Sequence, residues 1–374
     1  MRFLVSLLAF RPGRIGGTET YLRELLRALP RCSGQDSVAV LLDRDLAAAL
    51  PTAGLERVVL AASASSLLIE RCLEAFSGYR SRQVERAVAR FAPDAMLFPQ
   101  ISLFPKAVAV PAVVMVGDMQ HLLLPENFSL FDRRFRAAIY PYSLARASLV
   151  LAMSGYTART LIEHAGVDPR KVRVVPLGTD AGAEPGKGHG AAAPPGIELP
   201  YLYYPAVTRP HKDHATLLRS FAELVREAAL PHRLVLSGER TAHWRELLGL
   251  IRRLSIEDRV VHVGHVSREL VRSLYCHADA VVFPSRFEGF GLPVVEAAAC
   301  GRKVIACSLP AYEDTGVDGV LTIDFEDAAQ LAAALAADAT AAVTSRSWTW
   351  ERHARETLAA LRDAASSSPP CADG

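Results

Sequence analysis

No segment of this chain approaches the roughly 18 consecutive apolar residues of a membrane span, so nothing in it reads as a spanning helix. Cysteine is sparse: six residues, at positions 32, 72, 276, 300, 307 and 371, with no C-x-x-C pair and no histidine at zinc-ligand spacing. That excludes a disulfide framework or a zinc finger and reads as reduced, mostly buried thiols in a cytoplasmic protein. Net charge is nearly absent too. Lys+Arg at 42 against Asp+Glu at 40 leaves +2, so there is no bulk electrostatic case for a nucleic-acid partner. The dinucleotide fingerprint G-x-G-x-x-G is missing, and no repeat of fixed period occurs. After Met1-Arg2 the apolar run FLVSLLAF is only eight residues, followed by Arg11 and Arg14 without a small-x-small cleavage site. It reads as a first buried strand rather than a signal sequence.

At 374 residues, half of them apolar, the chain is expected to fold as two domains. It is organised around residues 283–301, F-P-S-R-F-E-G-F-G-L-P-V-V-E-A-A-A-C-G. An apolar run with β-branched residues leads in through residues 278–283, glycines stand at 289 and 291, and Pro293 opens an Ala-rich segment ending at Gly301. The pattern predicts strand, glycine loop, helix. A helix N-terminus offers unpaired N–H groups and partial positive charge, and a glycine approach lets a phosphate oxygen come close. Glu288 and Glu296 bracket the loop and can accept from sugar hydroxyls. The bland alternative is an ordinary β-loop-α connection with solvated glutamates.

A second strand–glycine turn–helix opens the chain: a strand over 3–10, the turn Arg14-Ile15-Gly16-Gly17, and a helix over 20–29. Further strands are expected at 37–42, 94–98, 112–116, 149–153 and 171–177. Asp43-Arg44-Asp45 reads as a helix cap, with a metal pair as the alternative. Residues 67–91 predict one long amphipathic helix carrying Arg71, Arg80, Arg82, Arg86 and Arg90, ordinarily a solvated face. Past the strand at 112–116 comes Asp118-Met119-Gln120-His121, then P-E-N-F-S and a helix with Arg133, Arg134 and Arg136. A polar cluster beyond a parallel strand's C-terminal end is where α/β sheets place ligands.

Residues 181–200, rich in Gly, Ala and Pro, read as a flexible linker. The second domain opens with a strand at 201–204 and the loop T-R-P-H-K-D-H, where Arg209 and Lys212 are free to converge on one anion. His211, Asp213 and His214 could instead mimic a metal site. Strands at 233–237 and 260–263 end in Gly238 and Gly264; Ser267 caps a helix holding Leu270, Leu274 and Tyr275; strands follow at 303–307 and 319–323. A final helix is expected over 348–361, and a disordered Ser/Pro-rich tail over 364–374.

Together, E-G-x-G-x-P with Glu-x7-Glu, the leading P-S, Lys212 and the D-M-Q-H…P-E-N-F-S segment resemble the retaining family 4 glycosyltransferases of the GT-B fold. The resemblance spans essentially the whole chain and is tight at 201–214 and 278–301. It implies an α/β architecture of two Rossmann-like domains with parallel sheets facing a cleft: an acceptor domain (1–180), the linker (181–200), a nucleotide-sugar donor domain (201–347), and a helix (348–363) returning to the first. It implies transfer of a hexose or deoxyhexose (mannose-, rhamnose- or glucose-like) from a nucleotide diphosphate sugar to a glycan, lipid-linked or small-molecule acceptor, with retained anomeric configuration. Polysaccharide or glycoconjugate biosynthesis is the expected setting. The implied catalytic set is His121, Arg209, Lys212 and Glu288. Donor binding falls to Gly16, Gly17, Gly238, Gly264, Val266, Gly289, Phe290, Gly291, Leu292 and Glu296, with Glu296 on the ribose and Glu288 on the sugar. Asp118 lies on the acceptor side.

Fixed cations would do what a divalent metal does elsewhere, so no metal and no cofactor are expected. In some relatives a basic face of the first domain touches anionic membrane, which makes the inner membrane face a second expected location. Two other readings stay open: a catalytically silent sugar-nucleotide-binding partner subunit, and a GT-B sugar phosphorylase or epimerase.

Overall fold

A computed structural model describes residues 1–11, 16–52, 54–178, 194–227, 230–344 and 349–367. The chain divides into two compact units, one of Met1–Gly178 with Trp350–Gly374 and one of Thr179–Thr349.

In the first unit the described elements are β1 (Arg2–Ser6), α1 (Gly16–Cys32), β2 (Ser37–Leu42), α2 (Arg44–Ala49), β3 (Glu56–Val59), α3 (Ala64–Phe76), α4 (Arg82–Phe91) and β4 (Ala95–Phe98). They continue with β5 (Ala112–Val116), α5 (Gln120–Leu123), α6 (Leu130–Arg146), β6 (Leu149–Ala152), α7 (Gly155–Ala165) and β7 (Val172–Val174). The strands form one parallel sheet in the order β3-β2-β1-β4-β5-β6-β7. Strands β1, β2, β4, β5 and β6 are almost continuously apolar because helices cover both faces of such a sheet. Helix starts follow the capping residues: Asp43 Oδ1 accepts from Leu46 N at 2.8 Å, and Ser154 Oγ from Thr157 N at 3.0 Å. Asp43 is therefore a cap, and its other oxygen is taken by Arg11 at 3.1 Å.

The second unit holds β8 (Tyr201–Pro205), α8 (His214–Glu227), β9 (Arg233–Ser237), α9 (Trp244–Arg253), β10 (Val260–His262), α10 (Arg268–His277), β11 (Ala280–Phe283) and α11 (Leu292–Ala299). After these come β12 (Lys303–Ala306), β13 (Val317–Asp318), β14 (Leu321–Thr322), α12 (Ala328–Ala336) and β15 (Ala342–Val343). Its main sheet is parallel in the order β10-β9-β8-β11-β12-β14. The strand order reverses between β8 and β11, so the loops leaving these strands flank the crevice in which open α/β sheets bind ligands. Both motif loops, 206–213 and 284–291, lie there. α13 (Trp350–Ser367) belongs to the first unit, with Arg31–Glu351, Arg362–Asp36 and Arg173–Asp363 ion pairs tying it down.

Four expectations need correction. The glycine pair is the first turn of α1 rather than a turn before it, since α1 begins at Gly16. The single helix over 67–91 is two, α3 and α4. The buried Glu74 carboxylate accepts from Ser81 N and Lys106 N, each at 2.8 Å, and so draws the chain out of helix after Phe76. The basic face predicted along that helix is consequently discontinuous: Arg80 pairs with Glu85 at 2.7 Å and Arg71 turns inward to Ser102. The tail does not begin at 364, because α13 runs to Ser367 with Ala364 buried. Residues 181–193 of the expected linker and 368–374 of the expected tail lie outside the described residues.

Candidate functional site

The site in the second unit grows out of β8 and β11. Strand β8 carries tyrosines on both faces, each buried with its hydroxyl bonded. Tyr204 donates to the Lys212 carbonyl at 2.6 Å and lies 3.0 Å from Ser285 Oγ, which joins the loop after β8 to the loop after β11. The same two loops are joined again where Arg286 N donates to the His211 carbonyl at 2.9 Å and Arg286 Nε to Asp213 Oδ2 at 2.6 Å. This doubly pinned frame sets Lys212 Nζ 2.6 Å from Glu288 Oε1, with the two side chains 19% and 13% exposed. A short, largely desolvated ion pair is a fixed local dipole rather than two solvated charges.

Lys212 is oriented by Glu288, and Arg209 is exposed on the same loop. The metal alternative loses its ligands. Asp213 is bound by Arg286 and by Thr216 N at 3.3 Å, and His214 is fully buried. Among the described residues no three His, Cys, Asp or Glu side chains are placed to hold a metal ion.

Gly291 heads α11 with φ 95°, and a Cβ there would lie 2.7 Å from Tyr312 Cδ1. Only glycine combines that conformation with so close a neighbour, and it delivers the helix N-terminus to the mouth of the crevice. Phe290 and Leu292 point into the core, so they and Gly289 offer backbone amides, not side chains. One turn into α11, Glu296 Oε2 accepts from the buried Tyr275 hydroxyl at 2.9 Å. Burial, then the neighbouring carboxylate, raise the Tyr275 phenol well above its ordinary range, so it stays a proton donor. Gly238 has φ 123°, and a Cβ there would sit 2.8 Å from the Ala206 carbonyl group. Its N–H donates to the Gly264 carbonyl at 2.8 Å, so the turns after β8, β9 and β10 pack as one rim. Val266, on that rim, packs its partly buried side chain onto the core.

Within the second unit, then, Lys212 and Glu288 are brought together, as are Gly238 and Gly264, while Glu296 stands on its own helix. Gly16, Gly17, Asp118 and His121 belong to the first unit. There, Asp118 Oδ1 accepts from Gln120 N at 2.9 Å, and α5 presents His121 edge-on to Tyr140, ring centres 4.9 Å apart. Burial, with the nearby Arg136 charge, lowers the His121 pKa to about 4, so its imidazole is neutral at neutral pH. Arg136 lies over Phe128 and Tyr140 and donates to the Tyr140 hydroxyl at 2.8 Å; Arg71 lies over Phe135 and donates to Ser102 Oγ at 3.2 Å. Neither guanidinium has a carboxylate partner among the described residues.

Sequence reasoning missed this pair of arginines, which it placed on helix faces. It also missed Tyr275, taken as an apolar helix residue, and Tyr204 and Asp213–Arg286. The run Tyr201-Leu202-Tyr203-Tyr204 is the signal that could have marked the buried phenols of β8.

Residues 15–182 match the Glycosyltransferase Family 4 domain and residues 200–338 the domain of Glycosyl transferases group 1. A D-inositol 3-phosphate glycosyltransferase of Actinosynnema mirum is 34% identical over 284 residues, 67% of each chain. Two further proteins of that name, from Kineococcus radiotolerans and Geodermatophilus obscurus, are matched over 42% and 54% of their length. The O-antigen chain mannosyltransferase B of Escherichia coli is 32% identical over 127 residues, 34% of this chain and 33% of that one. Among solved structures, Anabaena HepE in complex with UDP-glucose superposes with a TM-score of 0.66 over 98% of both chains at 21% identity, a likeness of fold. The chain belongs to the family 4 glycosyltransferases and has the GT-B fold, two parallel-sheet α/β domains.

Proposed function

We propose that this glycosyltransferase takes a hexose or deoxyhexose from a nucleotide diphosphate sugar held by its second unit, without a metal ion, and passes it with retained configuration to a phosphate-bearing or lipid-linked acceptor. The observation that carries the donor half is the Lys212–Glu288 pair, fixed at 2.6 Å at the β8/β11 switch point beside the glycine-headed N-terminus of α11. Lys212, Arg209 and the amides of 289–292 take the diphosphate, where charge develops as the bond to the sugar breaks. Glu296 accepts from ribose hydroxyls and Glu288 from the sugar. His121, being neutral, can bond a sugar hydroxyl without adding charge, and Asp118 serves the acceptor side.

A melting-temperature screen against UDP, GDP, ADP and dTDP and their common sugars, with EDTA present, tests the donor half. Glu296→Ala is expected to weaken nucleotide binding about 10- to 100-fold, the worth of hydrogen bonds to a charged group, and Glu288→Ala to lower turnover with little change in affinity. Unaltered affinity and rate in both variants would sink the assignment. Nucleotide binding with neither transfer nor hydrolysis would favour a silent partner subunit instead.

The acceptor half rests on Arg71 and Arg136. Two cations held against rings, with no carboxylate partner among the described residues, leave charge for an anionic ligand. The relatives named D-inositol 3-phosphate glycosyltransferases support a phosphorylated acceptor. Arg136→Ala should raise KM for a phosphorylated acceptor at least tenfold and leave nucleotide affinity alone; equal KM in both proteins would remove the phosphate from the reading.

In this reading membrane contact runs through the exposed apolar residues of α3 and α6 rather than through a continuous basic face. Leu68, Ile69, Leu73 and Phe76 of α3 and Leu130 and Phe131 of α6 are exposed, with Arg133 and Arg134 alongside. Apolar side chains flanked by arginines suit the interface of an anionic bilayer. Vesicles containing phosphatidylglycerol should sediment the protein and neutral vesicles should not, and Phe76→Ser with Phe131→Ser should abolish the difference.

A further inference from the structure

Cys276 closes α10 and Cys300 caps α11, and their sulfurs lie 3.0 Å apart. Nothing in the transfer reaction calls for them. Both lie close to groups that bond Glu296. Tyr275, next to Cys276, donates to the Glu296 carboxylate at 2.9 Å, and Cys300 N donates to the Glu296 carbonyl at 3.2 Å. Cys276 thus adjoins the donor to the Glu296 carboxylate, and Cys300 ends the helix that carries Glu296.

We propose that Cys276 and Cys300 form a reversible redox pair, closed to a disulfide by a peroxide, that sets the affinity of the Glu296 site for nucleotide. The proposal rests on the reading of Glu296 as a nucleotide-binding carboxylate. A disulfide needs its sulfurs about 2 Å apart, so closure brings the two sulfurs about 1 Å nearer and pulls on the ends of α10 and α11. That is enough to change the Tyr275–Glu296 bond.

Cys276 is the reactive member. Its hydrogen bond with Cys300, helped by the charges of Arg272 and Arg302, lowers its pKa and favours the thiolate. That thiolate attacks one oxygen of hydrogen peroxide; the O–O bond breaks, the sulfur is oxidised by two electrons to a sulfenic acid, and hydroxide leaves to become water. The Cys300 sulfur then displaces the sulfenic hydroxyl, forming the S–S bond, and its proton departs with the oxygen as a second water. Two thiols and one peroxide give one disulfide and two waters, and a dithiol reverses the change. Cys276 is buried and Cys300 partly so, and a close pair of free thiols suits switching rather than structural bridging.

The test compares reduced and peroxide-treated protein. Peptide mapping without reductant should yield a Cys276–Cys300 linked peptide two hydrogens lighter than its parts. Calorimetry with UDP, GDP and ADP should show at least fivefold weaker binding of the preferred nucleotide after oxidation, restored by dithiothreitol. Cys300→Ser should bind like the reduced protein and, with Cys276 stopped at the sulfenic acid, should give no linked peptide after peroxide. Absence of the linked peptide, or its presence with unchanged affinity, would overturn the proposal. Reduced protein that binds no nucleotide would overturn the donor reading and the affinity switch resting on it, while the mapping still decides whether the cystine exists.

Discussion

Replacing Lys212 with alanine is expected to lower kcat for sugar transfer by about 10²- to 10³-fold, the loss typical of one preorganised donor at a site of developing charge. The leaving diphosphate gains charge as the glycosidic bond lengthens, and Lys212 is held in place by Glu288 at 2.6 Å before any substrate arrives. A cation already oriented does not spend binding energy on reorganisation at the moment of reaction. The same substitution removes the partner of a carboxylate that is only 13% exposed, which destabilises the fold by a separate route. The two effects can be separated. Lys212→Met combined with Glu288→Gln leaves no unpaired charge, so the melting temperature should return toward that of the parent while turnover stays low. Lys212→Arg should recover only part of the rate, because a planar fork does not replace a compact ammonium. Single-turnover transfer and calorimetric melting give the two readouts, and a Lys212→Ala enzyme within threefold of the parent would remove Lys212 from the chemistry.

How much of this was legible beforehand depended on whether the determining interaction was local. Strands at 37–42, 112–116 and 233–237 were visible to the residue because a largely apolar stretch is what a sheet covered on both faces requires. Caps at Asp43, Ser154 and Ser267 were visible because the capping bond reaches only three residues. β3 was not visible, since Glu-Arg-Val-Val at a sheet edge is half-exposed and carries no apolar run. α12 was missed because a largely alanine segment shows little periodicity and is fixed mainly by Leu331 against the core. The break between α3 and α4 came from Glu74, whose partners lie 7 and 32 residues away. In the site, the glycines, Pro293 and both glutamates could be read from one loop. Their partners could not: Lys212 meets Glu288 across 76 residues, and Tyr275 meets Glu296 across 21.

Acidification from pH 7.5 to pH 5 is expected to destabilise both units, through histidines that folding keeps neutral. His214 in the second unit and His353 in the first are 0% and 1% exposed. Burial lowers their pKa values from the ordinary 6.5 to about 3 and about 4, although the Pro176 carbonyl, 2.8 Å from Nδ1, partly offsets the shift at His353. The unfolded chain binds protons at these positions below about pH 6.5 and the folded chain does not. Their contribution is therefore complete above about pH 6.5 and is lost as the pH falls toward the folded values. At pH 5 each has lost about 2 kcal/mol, from 1.36 kcal/mol per pH unit over about 1.5 units. His121, His211 and His262, lowered to about 4, 3 and 4 by burial, act in the same direction. Glu74, raised by burial, opposes them in the first unit. A loss of 2 kcal/mol lowers the melting temperature of a domain of this size by roughly 4–8 °C, within reach of scanning calorimetry at the two pH values. His353→Leu should lessen the pH dependence of the first unit's transition, His121 still contributing, and leave the second unit's slope intact. A melting temperature unchanged between pH 7.5 and pH 5 would mean that these histidines already reach water or a proton in the folded chain.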